Sequence, residues 1–273
     1  MENTCKNCGR IISTPFCGHC GEKVYGNDRS FGKVFNEAFH FITHFEGTFF
    51  TTLKAILFRP GKVSTEYCSG VRKKYFKPVS FFLFIVILYL VFPMFEGLNM
   101  KLRFHLSHNT YGLAATEMVN NIMESRNISM ETITDIFQQK SEKVSKFLLF
   151  ILLPAMAFIS WMLAFRKRKY FFDHFIFSTE SNSFFILWGY LLVPVLYSIV
   201  AMISRDLLPG TEMTTGVVIV SVYLIWFFIA AKRFFRFSIL YTILYIILYI
   251  IGLVLFTENV YKYLLFNITI RMI

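Results

Sequence analysis

Five stretches of this chain constrain its choice of solvent. Val79–Phe95, Phe147–Phe165, Phe184–Ile203, Gly216–Ala231 and Phe237–Phe256 are runs of sixteen to twenty nearly uncharged residues. A bilayer core about 30 Å thick takes roughly 20 helical residues, so each run can span it. The first and fourth are the shortest and need flanking Tyr, Lys and Arg to reach the headgroups. Composition agrees: the chain is 55% hydrophobic and 19% aromatic, with 34 Phe, against roughly 45–50% apolar residues in soluble domains. The sequence predicts an all-α polytopic membrane protein of about five transmembrane helices, its membrane domain covering residues 79–273.

Ahead of the spans lies a different kind of segment. Cys5-x-x-Cys8 and Cys17-x-x-Cys20 are each followed by glycine, Gly9 and Gly21. Two such knuckles can enclose one tetrahedral Zn²⁺ with four thiolates. Residues 1–26 are therefore read as a zinc ribbon, with Cys5, Cys8, Cys17 and Cys20 as ligands. Four thiolates leave no position for a catalytic water, so the metal is expected to be structural, replacing a core that so short a segment cannot build. No charged region followed by an apolar one precedes the cysteines, so no cleavable signal is expected. A reducing cytoplasm then favours metal over disulfides. Cys68, the fifth cysteine, reads as an ordinary small thiol.

The net charge of +11 invites a nucleic-acid reading, but residues 1–30 hold four Lys/Arg against three Asp/Glu. A phosphate-gripping ribbon needs a basic face, so no nucleic-acid partner is expected. The positive charge instead flanks the spans. Arg59, Lys62, Arg72, Lys73, Lys74 and Lys77 precede the first, Arg166, Lys167, Arg168 and Lys169 follow the second, and Lys232, Arg233 and Arg236 follow the fourth. Positive loops stay inside, which puts the N-terminus in the cytoplasm and the C-terminus outside. Residues 59–78 form a basic collar suited to anionic headgroups.

Two amphipathic stretches complete the plan. In residues 31–58, Phe31, Val34, Phe35, Ala38, Phe39, Ile42 and Phe45 mark one helical face, interrupted at Gly47 and ended by Arg59-Pro60-Gly61. This helical segment suits either the inner headgroup layer or the side of the bundle. In the external segment, residues 96–146, Met130, Ile133, Phe137, Val144 and Phe147 recur at helical spacing behind Ser129, a candidate N-cap. That helix should run straight into the second span.

The stretch Phe58-Arg59-Pro60-Gly61-Lys62, then Tyr67, Gly70, Arg72-Lys73-Lys74-Tyr75 and Pro78, resembles the bacterial membrane proteins catalogued as domain of unknown function 3667. Their shared features are a double C-x-x-C-G ribbon, the pattern PG-x(5)-Y-x-x-G-x-R-x-x-Y-x-x-P and a helical membrane domain. Asp173-His174-Phe175-Ile176-Phe177 fits a second motif of the family, which continues with His-x-His. Here Glu180 and Asn182 occupy those two positions, which weakens a metal site there. The resemblance implies a bacterial inner-membrane protein and supplies no activity.

Other constellations compete with plainer readings. Glu37, His40 and His44 share a helical face, yet interfacial His is usually only amphipathic. Asp173, His174 and Glu180 gather at the cytoplasmic mouth of the third span, read as beginning at Phe184, and are the candidates for acid–base chemistry; a solvated loop is the alternative. Within the predicted spans no Asp, Glu, Lys, Arg or His sits mid-membrane, unlike most ion-coupled carriers. Tyr241, Tyr245 and Tyr249 form a stripe read as a packing or oligomer seam. The sequence thus favours a non-enzymatic subunit, scaffold or regulator that engages a protein partner or a second copy. A small transporter for a neutral or amphiphilic solute and a lipid-modifying enzyme are the alternatives.

Overall fold

Chain that runs apolar becomes helix, and polar turns of a few residues join the pieces. The computed structural model describes residues 3–4, 8–12, 18–19, 47–91, 99–203 and 212–273. They fall in two units, Met1–Gly47 and Thr48–Ile273. In the first, β1 (Asn3–Thr4) pairs antiparallel with β2 (Ile11–Ile12), Thr4 opposite Ile11. Cys8 lies in the connection, and Gly9 after it takes a φ of +71°, the left-handed backbone that favours glycine. Cys5, Cys17 and Cys20 lie outside the described residues, as do Glu37, His40 and His44.

The second unit is helical among its described residues. In order come α1 (Gly47–Phe58), α2 (Lys62–Cys68), α3 (Pro78–Val91), α4 (Leu102–Leu106), α5 (Gly112–Arg126) and α6 (Met130–Ala164). Next, α7 (Phe171–Phe185) passes through a π-helical stretch, Ile186–Leu192, into α8 (Val193–Ile203). After α9 (Glu212–Phe235), α10 (Ile239–Phe256) continues through a second π stretch, Thr257–Tyr261, into α11 (Lys262–Arg271).

Among the described residues, three helices are long and apolar enough to cross a membrane: Phe171–Val200, Thr215–Phe235 and Ile239–Arg271. A fourth is bent, with Met130–Leu148 and Phe150–Ala164 meeting at 46°. Pro154 accounts for the bend, because its ring lacks an amide and collides with the carbonyl four residues back, that of Phe150. The 14 residues of α3 rise only about 21 Å, and the described chain stops at Val91 before that run ends. Among the described residues the count is therefore three, or four with the bent pair, where the sequence predicts five.

The largest correction concerns residues 173–182. The sequence reads them as a loop before a span beginning at Phe184; they are the body of α7, and Asp173, His174 and Glu180 lie inside the helix Phe171–Val200. Glu180 thereby falls ten residues into a helix long and apolar enough to cross a membrane, whereas the sequence reading kept it ahead of the span. Polar letters suggest a loop, but Thr179 and Ser183 return their hydroxyls to Phe175 O and Thr179 O, each at 2.7 Å. A helix can bury such residues without orphaning them.

Aromatic packing fills the core. Phe184 stacks on Trp226 at 4.5 Å, Phe177 on Phe234 at 5.0 Å, and Phe49 of α1 meets Phe81 of α3 at 5.2 Å. A second cluster joins α4, α5, the first half of α6 and α11 through Leu102, Val119, Ile133, Phe137, Phe266 and Ile270. Ser129 caps α6 there, accepting from the Thr132 amide. Within this cluster His105 is fully buried between Tyr111, Phe137 and Phe266, its Nδ1 2.7 Å from the Tyr111 hydroxyl.

Burial pushes the His105 imidazole down to about 4, helped by the His108 and Lys262 charges. The fold thus holds this ring uncharged, while the unfolded chain protonates near 6.5. Stability should fall as pH drops from 6.5 to 4, by at most about 1.4 kcal/mol per pH unit, and level off below. Thermal unfolding of the detergent-solubilised protein across this range measures the slope, and His105→Phe should flatten it.

Candidate functional site

The turn Arg59-Pro60-Gly61 brings α2 back against the bundle. Gly61 has φ +71°, and a Cβ there would lie 2.6 Å from the Ala230 carbonyl oxygen of α9, so only glycine fits. Being glycine, it offers α2 no side-chain cap. The missing cap arrives from 116 residues away. Ser64 N donates to Glu180 Oε2 at 2.6 Å, the Ser64 hydroxyl donates to the same oxygen, and the Val63 and Gly61 amides also face the carboxylate. Glu180 is 1% exposed and Ser64 fully buried. A buried carboxylate is costly unless hydrogen-bonded, and the amide-rich start of a helix suits it.

Below this clamp, the collar is stitched by its own side chains. Glu66 accepts from Lys74 Nζ at 2.6 Å and from the Tyr75 hydroxyl at 2.8 Å, and pairs with Lys62 at 3.4 Å. Partial burial is the largest influence on Glu66 and pushes its carboxyl up. The Lys74 and Tyr75 hydrogen bonds with the two lysine charges outweigh it and hold the group below its usual range. Arg72 lies over the Tyr67 ring, and Gly70 takes a φ of +103°. Arg59, Lys73 and Lys77 are exposed.

The described part of the amphipathic segment, Gly47–Phe58, packs on the bundle. Trp226 Nε1 donates to Ile56 O at 2.7 Å, and the Phe76 amide donates to Thr52 Oγ1 at 2.8 Å. Arg233 reaches the Pro60 carbonyl. Thus α1, α2 and the collar are tied to α7 and α9, with Ile56, Thr52 and Val63 buried.

Nearer the start of α7, His174 is fully buried. Its Nε2 lies 2.8 Å from Arg168 O and its Nδ1 2.9 Å from Ser160 Oγ, which lies 2.8 Å from the Tyr245 hydroxyl. A carbonyl only accepts, so Nε2 carries the proton; an uncharged ring leaves Nδ1 to accept from Ser160, and Tyr245 then donates to Ser160. Asp173 pairs with Arg168 at 3.4 Å, while Arg168 also donates to Phe234 O and lies 4.5 Å over the Phe234 ring. Arg168 therefore closes the last turn of α9. Burial pushes the Cys68 thiol up to about 12, and the nearby Asp173 carboxylate adds to it.

Asp173, His174 and Glu180 share one helix without forming one site. Asp173 and His174 both meet the Arg168 loop, His174 also meets Ser160 of α6, and Glu180 meets the start of α2. Sequence reasoning missed Ser64, Ser160 and Trp226, whose roles come from partners far away in the chain. Among the described residues no group of three His, Cys, Asp or Glu side chains is placed to hold a metal. Tyr245 and Tyr249 of the tyrosine stripe are buried in the bundle, whereas Tyr241 is 65% exposed. Two surface cavities, of about 550 and 530 Å³, are lined by other residues than the three acid–base candidates.

A family model described as "Protein of unknown function (DUF3667)" matches residues 46–90, the stretch from α1 to α3. The chain is similar to that family over the segment that Glu180, Trp226 and Arg233 hold in place. No curated protein and no solved structure matches the chain.

Removing the Glu180 carboxylate should release α2. Glu180→Ala is expected to cost about 2 kcal/mol, as for buried neutral donors left without an acceptor, whereas Glu180→Gln keeps an acceptor for Ser64 N and costs less. Cys68 at the end of α2 provides the readout: maleimide labelling, mapped by peptide mass spectrometry, should be slow in the native protein and faster in Glu180→Ala. Gly61→Ala should behave similarly, because its Cβ meets backbone; unchanged labelling in both variants would contradict the clamp.

Proposed function

We propose that this chain is a five-span bacterial inner-membrane protein, with the N-terminus cytoplasmic and the C-terminus outside. It acts as a non-enzymatic subunit, scaffold or regulator of a membrane complex. Cys5, Cys8, Cys17 and Cys20 hold a structural Zn²⁺ in a ribbon that docks a protein partner. The observation that carries this reading is how the ionisable groups of α7 are used. Glu180 caps α2, Asp173 pairs with Arg168, and both His174 nitrogens are engaged by Arg168 O and Ser160. Glu180 and His174 bind side chains of other helices, and Asp173 binds the loop after α6, so all three serve contacts within the fold. Topology has support too: Ala164 and Arg166 at the end of α6 share a cavity with Ser238 at the start of α10, while Lys140 near the other end of α6 reaches Met272 O. Two antiparallel helices with a basic loop at one end fit the positive-inside assignment.

One observation favours lipid chemistry as a second reading. Ser160 Oγ faces His174 Nδ1 with the other nitrogen oriented by a carbonyl, the arrangement of an activated hydroxyl. Here the Tyr245 hydroxyl closes the third side of Ser160.

Affinity purification of the tagged protein from native membranes, beside a Cys17→Ser/Cys20→Ser control, separates the two. A stoichiometric partner present in the first and lost in the second is the expected outcome. A lone protein in both samples that turns over a membrane lipid, with turnover abolished by His174→Ala, would overturn the docking role.

A further inference from the structure

The end of α6 and the start of α10 part to leave the cavity of about 550 Å³. Its walls are hydrocarbon: Leu163 and Ala164 from α6, Leu244 and Leu248 from α10. Its rim is cationic and hydroxylic, formed by Arg166, Lys167, Ser238 and Tyr241. We infer that this groove seats an anionic phospholipid, with the phosphate at Arg166 and Lys167 and an acyl chain between α6 and α10.

Three observations lead there. First, the groove opens on bilayer-facing surface. Leu240, Leu244 and Leu248 repeat every turn along α10 and are 76%, 49% and 42% exposed, while Phe158 and Met162 of α6 are more than half exposed. Second, the rim cations have no counter-ion. Arg168 is committed to Asp173 and Phe234 O, but Arg166 and Lys167 are exposed, and no carboxylate pairs with either among the described residues. Third, these demands must be met by a single molecule. A free anion would satisfy the charges and leave the leucine walls uncovered, and a neutral hydrocarbon would do the reverse. A phosphate ester with a long acyl tail does both, and the Tyr241 hydroxyl on the rim can donate to a phosphate oxygen. Basic recesses between membrane helices take acidic headgroups in this way.

The inference rests on the membrane-spanning reading and is independent of ribbon docking. Native mass spectrometry of the full chain in neutral detergent tests it, titrating phosphatidylglycerol against phosphatidylcholine. Phosphatidylglycerol should bind roughly tenfold more tightly, and Arg166→Gln/Lys167→Gln should lose roughly that factor. Leu244→Trp, which fills the groove and leaves both charges, should lose as much, while Arg126→Gln/Lys143→Gln on the distant α5 and α6 surface should lose nothing. Unfolding midpoints within a degree or two of the parent establish that the variants are folded. Equal loss in the distant pair would make the binding a general annular attraction and overturn the site. So would retention in Leu244→Trp, or displacement of phosphatidylglycerol by millimolar inorganic phosphate, which would mark an anion site without an acyl groove.

Discussion

A carboxylate and a helix that lacks its own cap depend on each other here. Glu180 sits in the apolar body of the bundle, where a lone carboxylate would be among the most expensive groups to hold. The short helix α2 begins at a glycine that must be glycine, since Ala230 of α9 lies against it, so it has nothing of its own to offer its first amides. The contact supplies α2 with its acceptor and satisfies Oε2 of the carboxylate, while Oε1 stays buried without a hydrogen-bond partner. The bond to Ser64 joins segments 116 residues apart, and it holds the part of the chain that matches a family model against a residue outside that match.

Around this contact, neighbouring bonds use backbone carbonyls as anchors. Trp226 reaches Ile56 O, Arg233 reaches Pro60 O, and Arg168 reaches Phe234 O. Carbonyls at helix ends and turns have no intrahelical partner, so long donors from adjacent helices gain a bond without taking one from elsewhere. This division explains why four consecutive basic residues, Arg166 to Lys169, do different work. Arg168 turns inward to Asp173 and α9, and Arg166 and Lys167 remain at the surface.

Local information made much of the fold legible. The apolar runs located the long helices, and Ser129 signalled the start of α6 because a cap acts within four residues. The amphipathic pattern of Ile133 and Phe137 likewise identified the face that α6 buries. The candidate site was less legible. Residues 178–183 read Ser-Thr-Glu-Ser-Asn-Ser, which by polarity is a loop, and only the partners on α2 and α9 show why a helix can bury them. Tyr223 meets Ser181 at 2.8 Å and Ser64 meets Glu180, both from distant sequence. His174 was visible as a chemical group and Tyr245 as one of a packing stripe, but nothing in the sequence joined them through Ser160.

Length supplies the last constraint. α6 has 35 residues and the helix Ile239–Arg271 has 33, each about 50 Å at 1.5 Å per residue, against a hydrocarbon core near 30 Å. Both must therefore project, and one end of each is occupied by the Arg166–Ser238 region beside the basic loop. The excess falls at the other end, where α11 and the first half of α6 need apolar cover without lipid. α4 and α5 provide it, packing Leu102 and Val119 against Ile133, Phe137 and Phe266. In this cluster burial keeps His105 uncharged, and Lys140 reaches the Met272 carbonyl at its edge. The balanced charge of residues 96–146 suits such a cluster, a small apolar core with polar residues around it, built on the ends of two helices long enough to cross a membrane.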